Sequence, residues 1–261
     1  MNHELLLQRI RVVLCRPSHP GNIGAVARAM KTMGIYRLAL VAPKKFPDEE
    51  ADTRASGAED LLRNALVCDD LSEALAGTHF VVGLSARQRD LGPPVCSAHR
   101  AVSAISEEVL RGEVALVFGN ETSGLSNDEI QRCHLAATIP TNPDFSSLNL
   151  GAAVQILCYE CRQALLAEGA VGLAAGSRAA TPFTSPMAEH NEVEGLLAHL
   201  GQAMSFTGFH NPEQPGRLIA KLRRLLVRSR LERDEVNILR GFLTSIETPT
   251  RHGRKRGGDE H

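Results

Sequence analysis

Two polar loops carry the residues of this chain best suited to holding a small ligand: Gly119-Asn120-Glu121-Thr122-Ser123-Gly124, and Thr141 to Ser146. Each follows a strand-like apolar run, Val114 to Phe118 and Leu135 to Pro140. Open α/β sheets bind ligands at such strand ends. Phosphate binding is the first chemistry to test. Gly119 and Gly124 have the G-x-x-x-x-G spacing, and Ser126 stands where a metal-binding hydroxyl would. Leu125, however, occupies the place of the lysine that must reach the terminal phosphates, and Glu121 would repel them. A Gly-rich turn capped by Ser126 or Asn127 accounts for the glycines. It does not account for an acidic loop paired with Ser146-Ser147-Leu148-Asn149.

Other chemistries are weaker. The turn Arg16 to Asn22 precedes a helical stretch but offers only Gly21 and Gly24, so the G-x-G-x-x-G of a dinucleotide fold is missing. Arg28 lies one helical turn beyond Gly24. By itself it reads as a surface residue, since arginine is mostly exposed; the alternative is a side chain aimed into a cleft above the strand ends. Cys158 and Cys161 sit in mid-helix, where packing is expected. A redox pair belongs at a helix N-terminus, where the dipole lowers the thiol pKa. No second Cys or His pair completes zinc-like spacing, so no metal is predicted.

The elements that must position these loops read as alternating strands and helices. Strands are predicted at 10–15, 38–41, 66–68, 80–84, 114–118 and 135–140. A helix over 23–34 takes Asn22 as N-cap and Gly34 as its stop. Further helices are expected within 44–64, over 70–76 with Asp70 or Ser72 as cap, over 99–110, and over 147–168. The strand 80–84 ends in a third small polar loop, Ser85-Ala86-Arg87, which leads into a Gly-Pro-Pro segment. After Gly169 the sequence AVGLAAGSRAATPFTSP has no periodicity and reads as a linker. Three helices, 187–207, 214–228 and 232–246, are predicted beyond it. The middle one should bury Leu218, Ile219, Leu222 and Leu225. The resulting division is an α/β domain over 1–168, a linker over 169–186, a helical module over 187–248 and a disordered basic tail over 249–261.

With 261 residues and 43% hydrophobic content, the chain can build an ordinary core. No run of about 18 apolar residues suggests a membrane span. The start, MNHELLLQRIRVVLC, lacks a signal peptide's pattern, so a cytoplasmic location is expected. The net charge of −1 hides a basic segment, RLIAKLRRLLVRSR over 217–230, with six cations and no acid. Together with RHGRKR over 251–256 it suits a polyanion such as nucleic acid, although a charge run can also be a solvated helix face.

Three segments in order resemble the motifs of the SpoU branch of the SPOUT RNA methyltransferases. They are Asn22-Ile23-Gly24-Ala25-Val26-Ala27-Arg28, Phe118-Gly119-Asn120-Glu121-Thr122-Ser123-Gly124-Leu125, and Ile139-Pro140 followed by Ser146-Ser147-Leu148-Asn149-Leu150. GLSAR, NDEIQRCH, NPDFSSLNL and the distal KLRRLLVRSR extend the likeness over nearly the whole chain. They make it similar to the bacterial tRNA 2′-O-methyltransferases that act at nucleotide 32 of the anticodon loop. Asn120 departs from those relatives, which tend to carry Arg there.

The resemblance implies a mainly parallel α/β sheet whose C-terminal half is tied in a deep trefoil knot, plus the small helical module. True knots are nearly absent from proteins, so composition could not reveal one. It also implies an obligate homodimer and S-adenosylmethionine as methyl donor. Leu84, Ser85, Ala86, Gly119, Ile139, Ser146, Ser147 and Leu148 would contact the donor, largely through backbone groups. Arg28 would orient the ribose hydroxyl and stabilise its charge, with Glu121 and Asn149 as further site residues. Glu121 either holds Arg28 or a partner-subunit arginine, or stabilises its own loop; Asn149 doubles as a helix-start cap. Arg28, Arg87, Lys221, Arg223, Arg224 and Arg228 are the expected tRNA contacts. A sibling enzyme for another tRNA or rRNA ribose, and a non-catalytic RNA-binding protein on the same fold, are the alternatives.

Overall fold

The structure, a computed structural model, describes residues 3–85, 91–145, 147–171, 185–213 and 216–248. Ala86, Arg87, Ser146, most of the expected linker and the basic tail therefore lie outside the described residues.

Seven strands form one sheet, and every pairing in it is parallel. They are β1 (Ile10–Cys15), β2 (Arg37–Val41), β3 (Leu66–Cys68), β4 (Thr78–Leu84), β5 (Val95–Ser97), β6 (Glu113–Phe118) and β7 (Leu135–Thr138). Their spatial order is β3-β2-β1-β6-β4-β7-β5. The central strands are near-continuous apolar runs because both faces are covered. Ile10, Val12 and Leu14 pack on one side with Val114, Leu116, Phe118, Phe80 and Val82. Val13, Cys15, Val81, Ala115 and Val117 pack on the other. This period of two is the side-chain alternation of a strand.

The first face is covered by α1 (His3–Leu7), α2 (Pro20–Thr32), α3 (Glu49–Ala55), α4 (Glu59–Arg63), α6 (Ala98–Glu108) and α8 (Leu150–Val171). The second is covered by the short α5 (Leu71–Leu75) and α7 (Asn127–Gln131). Gly24 lets α2 and α3 meet: a Cβ there would lie 2.1 Å from the Ala51 carbonyl oxygen. Three further helices, α9 (His190–Phe206), α10 (Leu218–Ser229) and α11 (Arg233–Glu247), close a separate cluster around Leu196, Leu197, Leu226, Val236 and Leu243.

Several expectations shift. The short α1 and the edge strand β5 have no counterpart among the predicted elements; β5 has three partly exposed residues after Pro93-Pro94. Asn22 does not cap α2. Pro20 opens the helix, whose N-cap is His19, because proline's missing N–H suits the first turn. The helix predicted from 147 begins at Leu150, with the Asn149 Oδ1 accepting from Gly151 N at 2.9 Å and Ala152 N at 3.4 Å. In α10, Leu225 is exposed; Leu226 joins the three-helix core, and Val227 is buried next to it.

Candidate active site

Strand order brings the three polar loops together. β6, β4 and β7 are adjacent and parallel, so the loops after Leu84, Phe118 and Thr138 leave the same sheet edge side by side. The Ser85 N–H donates to the Ala137 carbonyl at 3.0 Å, pinning the first loop to β7. A cavity opens between them. Its lining includes Leu84, Ser85, Gly119, Ile139, Ser147 and Leu148, which are all of the predicted donor-contacting residues that lie within the described chain.

The lining also contains other residues of the two polar loops, Asn120, Thr122, Ser123 and Thr141, together with Phe118, Leu150 and Ala153, which the sequence does not single out as ligand contacts. Because α8 starts only at Leu150, Ser147 and Leu148 stay in the loop and remain exposed to the cavity. Among the described residues no Lys or Arg lines it. Apolar Leu84, Ile139, Leu148 and Leu150 face polar Asn120, Thr122, Ser123 and Ser147, a mixture suited to a small ligand with an apolar body and a few polar groups.

The 119–125 loop is tightly self-bonded. The Asn120 Oδ1 accepts from Thr122 N at 2.9 Å and Ser123 N at 3.3 Å, while its Nδ2 donates to the Arg16 carbonyl at 2.7 Å. Gly124 N donates to the Asn120 carbonyl at 2.8 Å, and Gly124 takes φ +68°, which glycine adopts at little cost. A Cβ on Gly119 would sit 2.1 Å from both the Gly124 carbonyl carbon and Leu125 N. The loop closes only with glycine at that position. Ser126 then caps α7 in a reciprocal capping box with Glu129, and the Glu129 Oε2 also accepts from the Arg16 guanidinium at 2.8 Å.

Glu121 turns toward the β1–α2 connection. Its Oε2 accepts from Ser18 N at 2.9 Å and Ser18 Oγ at 2.8 Å, and its Oε1 from Asn22 Nδ2 at 3.0 Å and His19 N at 3.3 Å. Burial pushes this carboxyl up, but the donors from Asn22 and Ser18 outweigh it and hold the pKa down at about 2. Within the chain Glu121 thus stabilises loops and does not pair with Arg28. The Asn22 Oδ1 in turn accepts from Asn149 Nδ2 at 3.0 Å. One hydrogen-bonded line therefore runs from the 119–125 loop through the start of α2 to the start of α8. Its centre, Asn22, is not recognisable as a connector from its apparent place as a cap; the signal is Pro20, which makes His19 the cap and leaves the Asn22 amide free.

Arg28 lies farther along α2. It is exposed, and among the described residues it has no hydrogen bond or ion pair. It does not line the cavity of this chain. Lys221, Arg224 and Arg228 are exposed on α10. Arg223 leaves that face: its guanidinium holds both Glu194 oxygens at 2.9 Å and Asp128 at 3.3 Å, with only 13% of its side chain exposed.

Residues 9–159 match the SpoU rRNA Methylase family. The chain belongs to that family. It is accordingly an enzyme of the methyltransferase class. Residues 191–256 match a second family, the C-terminal domain of the tRNA methyltransferase TrmJ. The chain is 45% identical over 261 residues to the tRNA (cytidine/uridine-2′-O-)-methyltransferase TrmJ of Yersinia enterocolitica, covering 98% of each chain. It is 46% identical over 248 residues to the tRNA (cytidine/uridine/adenosine-2′-O-)-methyltransferase TrmJ of Pseudomonas aeruginosa, covering 94% of this chain and 96% of that one. The crystal structure of TrmJ from Z. mobilis superposes with a TM-score of 0.78 at 32% identity, over 91% of this chain and 99% of that one. The SpoU methylase match spans the whole seven-stranded sheet and the first half of α8, so all three cavity loops fall inside it.

Proposed function

We propose that this SpoU methylase transfers a methyl group from S-adenosylmethionine to the ribose 2′-oxygen of cytidine or uridine 32 in the tRNA anticodon loop. Its C-terminal 187–248 module would help dock the tRNA, and two copies would form the working enzyme. The observation that carries this reading is the cavity at the ends of β4, β6 and β7. It is tied through Glu121, Asn22 and Asn149 to the helix that bears Arg28, which is unpaired among the described residues. The full-length likeness to tRNA 2′-O-methyltransferases supports the substrate.

The residues fit the donor. The cavity offers loop backbone and small side chains at Ser85, Gly119 and Ser147, and apolar surface for a purine. Bound there, S-adenosylmethionine supplies a sulfonium methyl group already activated for displacement, so no metal is needed. Leu84, Ser85, Gly119, Ile139, Ser147 and Leu148 would hold and orient it, and Ala86 and Ser146, outside the described residues, are expected to join them. Alignment of this kind can supply about 7–11 kcal/mol of a barrier. Arg28 orients the 2′-hydroxyl and stabilises the negative charge that grows on its oxygen; the proton goes to solvent. A guanidinium stays protonated at ordinary pH, so Arg28 acts as a cation and not as a base. Asn149 and Glu121 act at one remove, by fixing the start of α8 and the β1–α2 turn.

The crossing of the chain from β4 to β5, back to β6 and on to β7 supports the trefoil knot expected of the fold. Exposed Tyr159 and Leu166 on α8 support a dimer surface there. No helix among the described residues is long and apolar enough to cross a membrane; the likeness to bacterial tRNA methyltransferases is what supports a place in the cytoplasm.

The deciding experiment is nucleoside mass spectrometry of tRNA transcripts incubated with enzyme and donor. One methyl per tRNA at nucleotide 32 is expected, with none added to a transcript already methylated there. Methylation at another nucleotide, or none, overturns the assignment.

A further inference from the structure

The basic segment 217–230 divides into two sets of cations. Arg217, Lys221, Arg224 and Arg228 are exposed without ion pairs among the described residues. Arg230 borders the same groove as Arg224 and Arg228 but reaches into it and closes the joint with the methylase sheet. Its Nη1 donates to the His79 carbonyl at 2.8 Å, its Nη2 to Glu108 Oε2 at 2.6 Å, and its guanidinium lies 4.7 Å above the Phe80 ring. Arg230 takes a left-handed φ of +53° to do so, a backbone state that costs a non-glycine residue energy. Glu108, 13% exposed, also accepts from Arg111 at 2.9 Å and contacts His79 Nε2 at 3.0 Å. Arg223 adds a second tie, through Asp128 of α7.

The anchor points are not arbitrary. His79 and Phe80 begin β4, whose other end is the Leu84-Ser85 wall of the cavity. Asp128 sits in α7, which follows the 119–125 loop directly and is capped by Ser126. The three-helix cluster is therefore clamped to the two elements that lead into the donor-binding loops, while Lys221, Arg224 and Arg228 stay exposed, the latter two on the rim of the groove that Arg230 and Glu108 close.

We propose that the Arg230–Glu108 pair is a positioning latch: it fixes the register between the polyanion-facing side of α10 and the methyl-transfer cavity, and Arg230 touches no RNA. This rests on the tRNA reading given above. It assigns opposite roles to neighbouring arginines of one basic run, which charge alone could not separate.

Two substitutions test it, Arg230→Met and Glu108→Gln. Glu108 is an anion, so removing its charge cannot delete a phosphate contact. If the latch operates, each variant raises KM for tRNA about tenfold, because the part-buried joint loses the ion pair that ties α10 to α6 and the cations of α10 no longer keep one register with the cavity. The double variant is no worse than either single one, because both break the same contact. Affinity for S-adenosylmethionine and the salt dependence of tRNA binding stay as in the wild type. Spin labels placed on α6 and α11 report a broadened distance distribution in both variants. Should Glu108→Gln behave as wild type, or Arg230→Met flatten the salt dependence by one phosphate contact, the latch is wrong. Arg230→Lys, which keeps the charge without the fork, guards against misfolding and should fall between wild type and Arg230→Met. If the wild type itself fails to methylate tRNA, the functional reading fails, and the label distances still decide whether the pair holds the two parts together.

Discussion

Asn22 donates from Nδ2 to Glu121 Oε1 at 3.0 Å, and so joins a helix start near the N-terminus to a loop about a hundred residues later in the chain. The same side chain accepts from Asn149 at 3.0 Å. Neither neighbour can replace it: His19 N reaches Glu121 only at 3.3 Å, and the Asn149 Oδ1 is already occupied by the start of α8. Asn22→Ala takes a hydrogen bond from a half-buried carboxylate, which keeps its donors from Ser18 and His19, and leaves the exposed Asn149 amide to solvent. The expected cost is about 1–3 kcal/mol of stability. Donor affinity should fall as well, because the cavity loops lose their common tie. Chemical denaturation and calorimetric titration with S-adenosylmethionine measure the two; an unchanged denaturation midpoint would show the link to be ornamental.

Glu121 makes this region pH-sensitive in a definite direction. Its pKa falls from 4.5 to about 2 on folding, despite burial that opposes the change. Between those values the unfolded chain binds more protons than the folded one, so stability rises with pH. The contribution is fully present above about pH 4.5 and disappears as the pH drops through about 2. Glu121→Gln should therefore be less stable than wild type at neutral pH, with the gap narrowing below pH 4.5. Parallel melting curves from pH 7 to pH 3 test this, and a gap that stays constant contradicts it.

Gly119 is the position where side-chain volume is least tolerated in the site. A methyl group there would overlap the backbone of Gly124 and Leu125 at 2.1 Å, so the loop must open. Gly119→Ala is expected to destabilise by about 1–3 kcal/mol, as overpacking does. It should also abolish donor binding well below the denaturation temperature. Retention of normal affinity for S-adenosylmethionine in Gly119→Ala would mean that the loop does not shape the donor site.

The central strands are legible in the sequence because they are buried on both faces, and β1 is legible to the residue. β5 is not, since a three-residue edge strand with exposed Val95 carries no apolar run. The motif residues of the three loops line one cavity, but strand order decides that they meet, and β6 lying between β1 and β4 is a long-range fact that no local pattern encodes. The rotation of α10 escapes its own periodicity for a related reason. A helix packed only on its neighbours would bury Leu225; this one is wedged between α9 and the methylase sheet, which buries Val227 beside Leu226 and draws Arg223 inward. For Glu121 the sequence leaves two roles open, and the donors that settle its role within the chain come from the far end of the domain.

Arg28 offers the clearest separation of binding from chemistry. It lies outside the cavity lining and engages no other described residue, so its removal leaves the donor site and the fold untouched. Arg28→Ala should bind S-adenosylmethionine normally while turnover on tRNA drops at least tenfold, about 1.4 kcal/mol in the transition state. Single-turnover methyl transfer at saturating tRNA is the measurement. A folded variant with unchanged rate removes Arg28 from the mechanism.

The outward cations of α10 should behave differently from both Arg28 and the half-buried Arg223. Lys221, Arg224 and Arg228 lie in the open, where a charge contributes little to folding. Replacing all three with Gln is therefore expected to leave the melting temperature nearly unchanged. It should weaken tRNA binding and reduce the slope of log affinity against log salt by about 0.7–0.9 for each phosphate no longer neutralised. Arg223→Gln should do the reverse: it breaks the paired contact with Glu194, lowering stability while leaving the salt slope alone. Filter binding across a salt series, with melting curves on the same samples, distinguishes the two sets. A flattened slope for Arg223→Gln, or an intact slope for the triple variant, would reverse the assignment of these faces.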